Sequence, residues 1–436
     1  MKVYQKDNVY DTAKKRISFI FDEFEKVCVS FSGGKDSTVV LHLAIEEARK
    51  RGRKVYATFI DLEAFYQMTI DHVVRMFREN ADVVVPIWLC LPMESNNSLS
   101  AEMPVWRWWE PGREDIWVRP MPKNEWVINL KNQKFPFYDE HITFEAFVDK
   151  YNDYMAQDEK TAVLLGLRSD ESLNRFRAIV MDKRKYKGKC YSTQCGRAWC
   201  FSPIYDWHVN DVWTYLGKFN KPYNKLYDLF YKAGVPVSKM RVDEPFGNEA
   251  KAGLSLFRVI EPETWGRVVN RVSGANLGNI YSGTKMLTGR VDLPPDHTWK
   301  SFCKFLLSTL PEDTARNYKN RFIKFIKYWN QNGCPMRDDF IKELEEACPD
   351  AIVNTHEYSK RGKGDKEVIR FTKILDEFPQ IDSKQDILTW RRMCMCILKN
   401  DYICKGLSFS MNKQMIEKSR ELTSRYKRIA EKYQNL

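Results

Sequence analysis

Short apolar runs alternate with longer amphipathic stretches through the first half of the chain. Residues 8–26 place Ile17, Phe19, Ile20, Phe21 and Phe24 near helical spacing and predict a helix. The apolar run at 27–32 predicts a first strand. Val39, Val40, Leu41, Leu43 and Ala44 then carry a helix over about 36–51, which Gly52 stops after a basic turn. Residues 55–60 predict a second buried strand, 64–79 a helix and 83–89 a third strand. A helix over about 141–156 precedes a fourth strand at 161–166, and helices follow at 210–217 and about 223–232. Strands alternating with helices predict a parallel α/β sheet with right-handed crossovers, whose ligands bind at the carboxyl ends of the strands.

The rhythm breaks in two places. Residues 93–140 hold Trp106, Trp108, Trp109, Trp117 and Trp126 among five prolines, without clear periodicity. Such an insertion is either a lid or binding loop, or a satellite hydrophobic cluster. Residues 240–295 read as short helices and Gly-rich turns, including 273–278 and 282–284. From 299 the chain reads as largely helical, with Phe302, Phe305, Leu306 and Leu310 on one face, and Phe322, Phe325 and Ile326 starting another stripe. A turn is expected at 361–366. The pattern therefore predicts a Rossmann-like parallel-sheet domain over 1–295 and a mainly α-helical, basic domain over 296–436.

The first strand–helix junction carries the chemistry. Between them lies Ser30-Phe31-Ser32-Gly33-Gly34-Lys35-Asp36-Ser37. A small, glycine-rich loop opening a helix can hold phosphate, because unpaired N–H groups and the positive end of the helix dipole converge there. The spacing excludes a Walker loop, since Val29 stands five positions before Gly34 and Asp36 follows Lys35. A Rossmann Gly-x-Gly-x-x-Gly is absent from the junction.

Bulk properties narrow the class. With 436 residues, 43% hydrophobic content and 14% aromatics, the chain has ample material for two or three cores. The start has no signal-peptide pattern and no run of 18 apolar residues occurs, so a soluble cytoplasmic protein without membrane partners is expected. Eleven cysteines in that setting are expected as reduced thiols. The net charge of +12 is concentrated: residues 391–436 carry 11 Lys and Arg against 4 Asp and Glu, and 161–200 carry 9 against 3. Either segment suits a polyanion, nucleic acid included; the alternative for the tail is a solvated helical face.

Ser32-Gly33-Gly34-Lys35-Asp36-Ser37 resembles the pyrophosphate loop (PP-loop) of the adenine nucleotide α-hydrolase-like superfamily, which includes ATP pyrophosphatases and phosphoadenosine phosphosulfate (PAPS) reductases. Three later segments resemble PAPS reductases in the same order. They are Gly166-Leu167-Arg168-Ser169-Asp170-Glu171-Ser172 with Arg175, then Pro203-Ile204-Tyr205-Asp206-Trp207 with Asp211-Val212-Trp213, then Lys221-Pro222-Tyr223-Asn224 with Leu226-Tyr227 and Ala233-Gly234. The resemblance implies ATP or PAPS as ligand, with Mg²⁺ accompanying ATP. Ser30, Ser32, Gly33, Gly34, Lys35, Asp36, Ser37, Gly166, Arg168, Glu171 and Ser172 would bind it. Lys35, Asp36, Arg168 and Arg175 are the candidate catalytic residues, the arginines because guanidinium forks clamp phosphate or sulfate. Asp61, ending the second strand, would face a nucleotide hydroxyl or Mg²⁺, or cap the next helix.

The chain departs from PAPS reductases in one respect. Their C-terminal Glu-Cys-Gly-Leu-His, which supplies the nucleophilic thiol, has no counterpart; residues 249–254 read Glu-Ala-Lys-Ala-Gly-Leu. Cys190, Cys195 and Cys200 could bind Zn²⁺ or an iron–sulfur centre with a fourth ligand such as His208, or stand as reduced thiols. Cys394, Cys396 and Cys404 sit on a helical pattern and are expected as buried thiols. Residues 390–407 resemble the immunoglobulin-binding regulator A (IbrA) type of bacterial and phage proteins, which implies a ParB-like partner. Two functions follow as expectations. One is an enzyme that cleaves or transfers at the phosphate or sulfate of an adenine nucleotide. The other is a nucleotide-dependent, nucleic-acid-binding regulator using 161–200 and 391–436.

Overall fold

The computed structural model describes residues 6–100, 103–180, 184–242, 246, 254–275, 293, 297–310, 312–358, 366–378, 387–399 and 401–409. The expected 361–366 turn, apart from Lys366, lies outside them. So do residues 276–278 of the first Gly-rich turn, the whole of the second at 282–284, residues 249–253 and the basic tail from 410 onward.

The apolar runs become strands of one sheet because each is buried on both faces by helices that flank it in sequence. In chain order these elements are α1 (Val9–Glu23), β1 (Lys26–Ser30), α2 (Lys35–Arg51), β2 (Val55–Ile60), α3 (Gln67–Glu79) and β3 (Val84–Cys90). The insertion contributes β4 (Met93–Asn96), β5 (Val105–Trp108) and β6 (Val127–Asn129). There follow α4 (Phe144–Met155), β7 (Thr161–Leu164), α5 (Leu173–Val180), β8 (Ser192–Cys195), β9 (Ala198–Phe201), α6 (Val209–Lys218) and α7 (Leu226–Lys232). Next come α8 (Leu254–Ile260) and α9 (Pro262–Arg271).

The sheet order is β6-β3-β2-β1-β7-β9-β8, parallel throughout except for β8 on β9. It is the expected PAPS reductase-like α/β fold. The crossovers place β1 at the centre, between β2 and β7, so the loop after β1 opens at the sheet's middle. β6 was hidden in the Trp- and Pro-rich insertion because three residues are too few to show a period. It adds an edge strand to β3.

Two compact units divide the chain. The first draws on residues 1–95, 107–245 and 256–271, the second on 96–106, 246–255 and 272–436. In the second unit α10 (Trp299–Thr309), α11 (Glu312–Gln331), α12 (Asp338–Ala347) and α13 (Trp390–Leu398) surround a small core that includes Tyr318, Phe322, Trp329 and Leu344. This region is mainly helical, as the apolar stripes predict. It also holds a three-stranded antiparallel sheet, β10 (Cys334–Pro335), β12 (Glu367–Phe371) and β11 (Ile352–Tyr358), in that spatial order. Within the same unit the Ser98 hydroxyl donates to the Phe246 carbonyl and the Asn97 side-chain amide to the Ser273 carbonyl.

Two histidines are buried in the first unit. His42 Nε2 lies 2.8 Å from the Pro222 carbonyl, and His72 Nε2 lies 2.9 Å from the Thr38 hydroxyl. Burial pushes His42 down to about 4 and His72 down to about 3. Both folded values lie below the unfolded value, so the unfolded chain binds more protons as pH falls below about 6.5. Stability is therefore full above that pH and declines toward pH 3–4, by up to about 1.4 kcal/mol per pH unit for each histidine. Denaturant titrations at pH 7 and pH 5 check this: the His42→Gln/His72→Gln double variant is expected to show a smaller difference between the two.

Candidate functional site

The loop after β1 is shaped by its two glycines. Gly33 adopts φ +72°, and a Cβ there would lie 2.8 Å from Thr69 Cγ2. Gly34 is the N-cap of α2. Ser32 and Ser37 close the turn: their hydroxyls are 3.0 Å apart, and the Ser32 amide donates to Ser37 Oγ at 3.2 Å. The Lys35 amide donates to the Tyr227 hydroxyl at 2.9 Å, while the Asn224 side-chain amide donates to the Gly33 carbonyl at 3.1 Å. The 221–227 segment thus braces the loop from beneath. Ser30 and Ser32 are exposed at the carboxyl end of β1.

Behind the loop lies a buried charge cluster. Lys35 is 3% exposed, Asp36 8% and Arg168 3%. Lys35 Nζ is 2.8 Å from Asp36 Oδ2 and donates to the Met240 carbonyl at 3.3 Å. Arg168 Nε donates to Asp36 Oδ1 at 2.6 Å, and its Nη1 pairs with Asp170. Glu171 lies 3.7 Å from Arg168 Nη2 and 3.8 Å from Arg175 Nε. Burial, then the neighbouring Asp36, pushes the Glu171 carboxyl up. The Arg175 side chain is half exposed, and Ser172 Oγ accepts from the Arg175 amide at 3.2 Å, which holds the start of α5.

Gly166 explains how β7 brings Arg168 to α2. A Cβ at 166 would lie 2.6 Å from the Ser37 amide nitrogen and 2.8 Å from the Asp36 carbonyl carbon. Both are backbone atoms, so the segment after β7 touches the first turn of α2 without a side chain between them. Gly166→Ala is expected to cost about 1–3 kcal/mol through this overlap. Gly217→Ala, in α6 where a Cβ meets nothing within 4 Å, is expected to gain about 0.5–1 kcal/mol. Thermal unfolding of the two variants checks the contrast.

The structure places Asp61 elsewhere. It caps no helix, since Tyr66 is the N-cap of α3. It is fully buried; Oδ2 accepts from Trp88 Nε1 at 2.8 Å and pairs with Arg119, and Oδ1 accepts from the Glu63 amide at 3.1 Å. Sequence reasoning missed what surrounds it. Glu63, also fully buried and held at φ +61°, accepts from Arg271 Nε at 2.9 Å, from the Trp109 amide at 2.7 Å and from the Val118 amide at 3.1 Å. The Arg119 guanidinium lies 5.1 Å over the Trp109 ring. These ion pairs fasten the 107–119 part of the insertion to the end of β2. The available signal was Glu63 alone in the apolar run Leu62-Glu63-Ala64-Phe65.

The three candidate cysteine ligands do not converge. Cys195 and Cys200 are joined as a disulfide across the β8–β9 hairpin, whose turn at Gly196 (φ +63°) sets their Cα atoms 6.0 Å apart. This corrects the expectation that all cysteines are reduced. Cys190 Sγ lies instead 3.5 Å from the Tyr205 hydroxyl. Among the described residues no group of three or more His, Cys, Asp or Glu side chains is arranged to hold a metal ion. Cys394, Cys396 and Cys404 are buried free thiols. No helix of the described residues is long and apolar enough to cross a membrane.

Comparison with known proteins gives two family matches. The phosphoadenosine phosphosulfate reductase domain matches residues 26–233, and a domain of unknown function, DUF3440, matches residues 234–418. The chain is 36% identical over 414 residues to the uncharacterized protein YbdN of Escherichia coli K12, covering 93% of this chain and 91% of that protein. Among solved structures, PAPS reductase from Candida auris in a phosphate complex is 15% identical, covering 52% of this chain and 93% of its own, with a TM-score of 0.30. FMN adenylyltransferase from Candida glabrata in complex with ATP is 14% identical, covering 52% and 62%, with a TM-score of 0.29.

Proposed function

Since the chain belongs to the family of Escherichia coli YbdN and carries a PAPS reductase-like PP-loop domain, we propose that it binds ATP or PAPS and cleaves or transfers at the phosphate or sulfate. The observation that carries this reading is the buried convergence of Lys35 and Arg168 on Asp36 at the N-terminus of α2. The loop amides and the α2 dipole meet at the open end of the central strand, backed by Lys35 and Arg168, and there charge developing on a departing phosphate or sulfate would be stabilised. Gly33 and Gly34 let the backbone approach the ligand and Ser32 and Ser37 supply hydroxyls, while Arg175, half exposed on α5, stands beside Glu171.

The carboxylates do not fit a protein-held Mg²⁺. Asp36 is shared between Lys35 and Arg168, and Asp61 is enclosed by Trp88 and Arg119. Burial pushes the Cys28 thiol up to about 12, and burial together with Asp61 raises that of Cys90, so neither supplies a thiolate. The likeness of 390–407 to the IbrA type supports a ParB-like partner.

A calorimetric screen of ATP and PAPS with product analysis tests the proposal. AMP plus pyrophosphate, or adenosine bisphosphate, is the expected product. Absence of binding by either nucleotide would refute the reading.

A further inference from the structure

The second unit presents a charged face that the nucleotide site does not use. Helix α11 is amphipathic, with Tyr318, Phe322, Phe325 and Trp329 buried. The Trp329 ring meets Phe371 of β12 at 5.3 Å, which fixes the helix against the sheet of that unit. Its two acidic residues, Glu312 and Asp313, stand in the first turn and both pair with Arg316. Residues 314–331 contain five Lys and Arg and no Asp or Glu. Arg321 is buried and donates to the Ile403 carbonyl. Lys319, Lys324 and Lys327 are exposed and have no carboxylate partner among the described residues. Asn320 and Ile323 are exposed between them, and Tyr328 is exposed beside Lys327.

We propose that this face of α11 docks on double-stranded DNA. The three lysines spread over about 12 Å of helix axis, from the rise of 1.5 Å per residue. A backbone of phosphates supplies the complementary charge at that spacing without requiring any one sequence. The B-form major groove, about 12 Å wide, admits an α-helix, whereas the A-form groove of duplex RNA is too narrow. Asn320 and Tyr328 add polar groups for phosphate and sugar. An acidic membrane fits less well, because the apolar side of α11 is already committed to the core and is not available to enter lipid.

The test uses the full chain and a fluorescein-labelled DNA duplex of random sequence, read by anisotropy between about 50 and 200 mM salt. The Lys319→Ala/Lys324→Ala/Lys327→Ala variant is expected to bind at least tenfold more weakly at the lower salt. Its slope of log affinity against log salt should be shallower by about 2–3, since each phosphate contact contributes about 0.9. The matching triple Lys→Arg variant should restore both quantities. Lys342→Ala, on the acidic helix α12, should change neither, and thermal unfolding of every variant verifies folding. The proposal is overturned by any of four results: no DNA binding at the lower salt, an unchanged slope in the alanine variant, equal affinity for duplex RNA, or dependence on these lysines only with phosphatidylserine vesicles. Because α11 lies outside the PP-loop domain, failure here leaves the nucleotide reading untouched.

Discussion

Arg271→Met is expected to lower the stability of the first unit by about 3–5 kcal/mol, the usual cost of removing one partner from a buried ion pair. The reason is the carboxylate left behind. Glu63 is fully buried, and Arg271 meets both its oxygens, at 2.9 and 3.3 Å. Without the guanidinium it keeps, among the described residues, the Trp109 and Val118 amides as donors, at 2.7 and 3.1 Å. Arg271 Nη2 also donates to the Arg107 carbonyl at 2.5 Å, so the 107–119 segment loses a second tie. Glu63→Gln alone should cost less, because an amide needs no counter-charge. The Glu63→Gln/Arg271→Met pair should recover part of the loss, and a double-mutant cycle by urea unfolding measures that coupling. Additive effects would show that the two side chains do not stabilise one another.

The second large effect concerns binding. Lys35→Ala should weaken ATP or PAPS binding by about ten- to a hundredfold, which corresponds to the roughly 1.5–3 kcal/mol of a charge-assisted hydrogen bond. The variant removes the cation from the first residue of α2 and leaves Asp36 with Arg168 as its remaining cationic partner. An unpaired share of negative charge at the phosphate position opposes the ligand further. Isothermal calorimetry with both nucleotides checks it, with thermal unfolding to verify the fold; unchanged affinity would remove Lys35 from the site.

Local signals and long-range ones differ in what they reveal. The β1–loop–α2 unit was legible because every cue lies within a short stretch: an apolar run, two glycines, a lysine and a 3.6-residue pattern. Residues 55–60 were read as a strand with the bounds that β2 has in the structure. Gly166 and Arg168 were legible as a motif, although not the contact between Gly166 and Ser37 that makes the glycine necessary. Asp61 was visible as an acid at a strand end, but its partner Arg119 is 58 positions away. Glu63 and Arg271 are 208 positions apart, and no periodicity connects them. The sheet of β10, β12 and β11 escaped notice because β11 is half exposed and β10 has only two residues, so neither gives an alternating pattern.

The division of the chain between the two units has a consequence for biosynthesis. Residues 96–106 belong to the second unit, yet they emerge from the ribosome before most of the first unit's sheet. Ser98 bonds to Phe246, 148 positions later, and Asn97 to Ser273, 176 positions later. At about 5–20 residues per second, Ser98 waits about 7–30 s for its partner to be made. Strands β1, β2 and β3 can pair in that interval while the stretch containing Trp106 remains without Phe246, the ring it finally meets at 4.9 Å. A nascent chain halted after Trp106 has left the exit tunnel and before Phe246 is made would therefore display this tryptophan to chaperones, and loss of that exposure would mark the arrival of the second half.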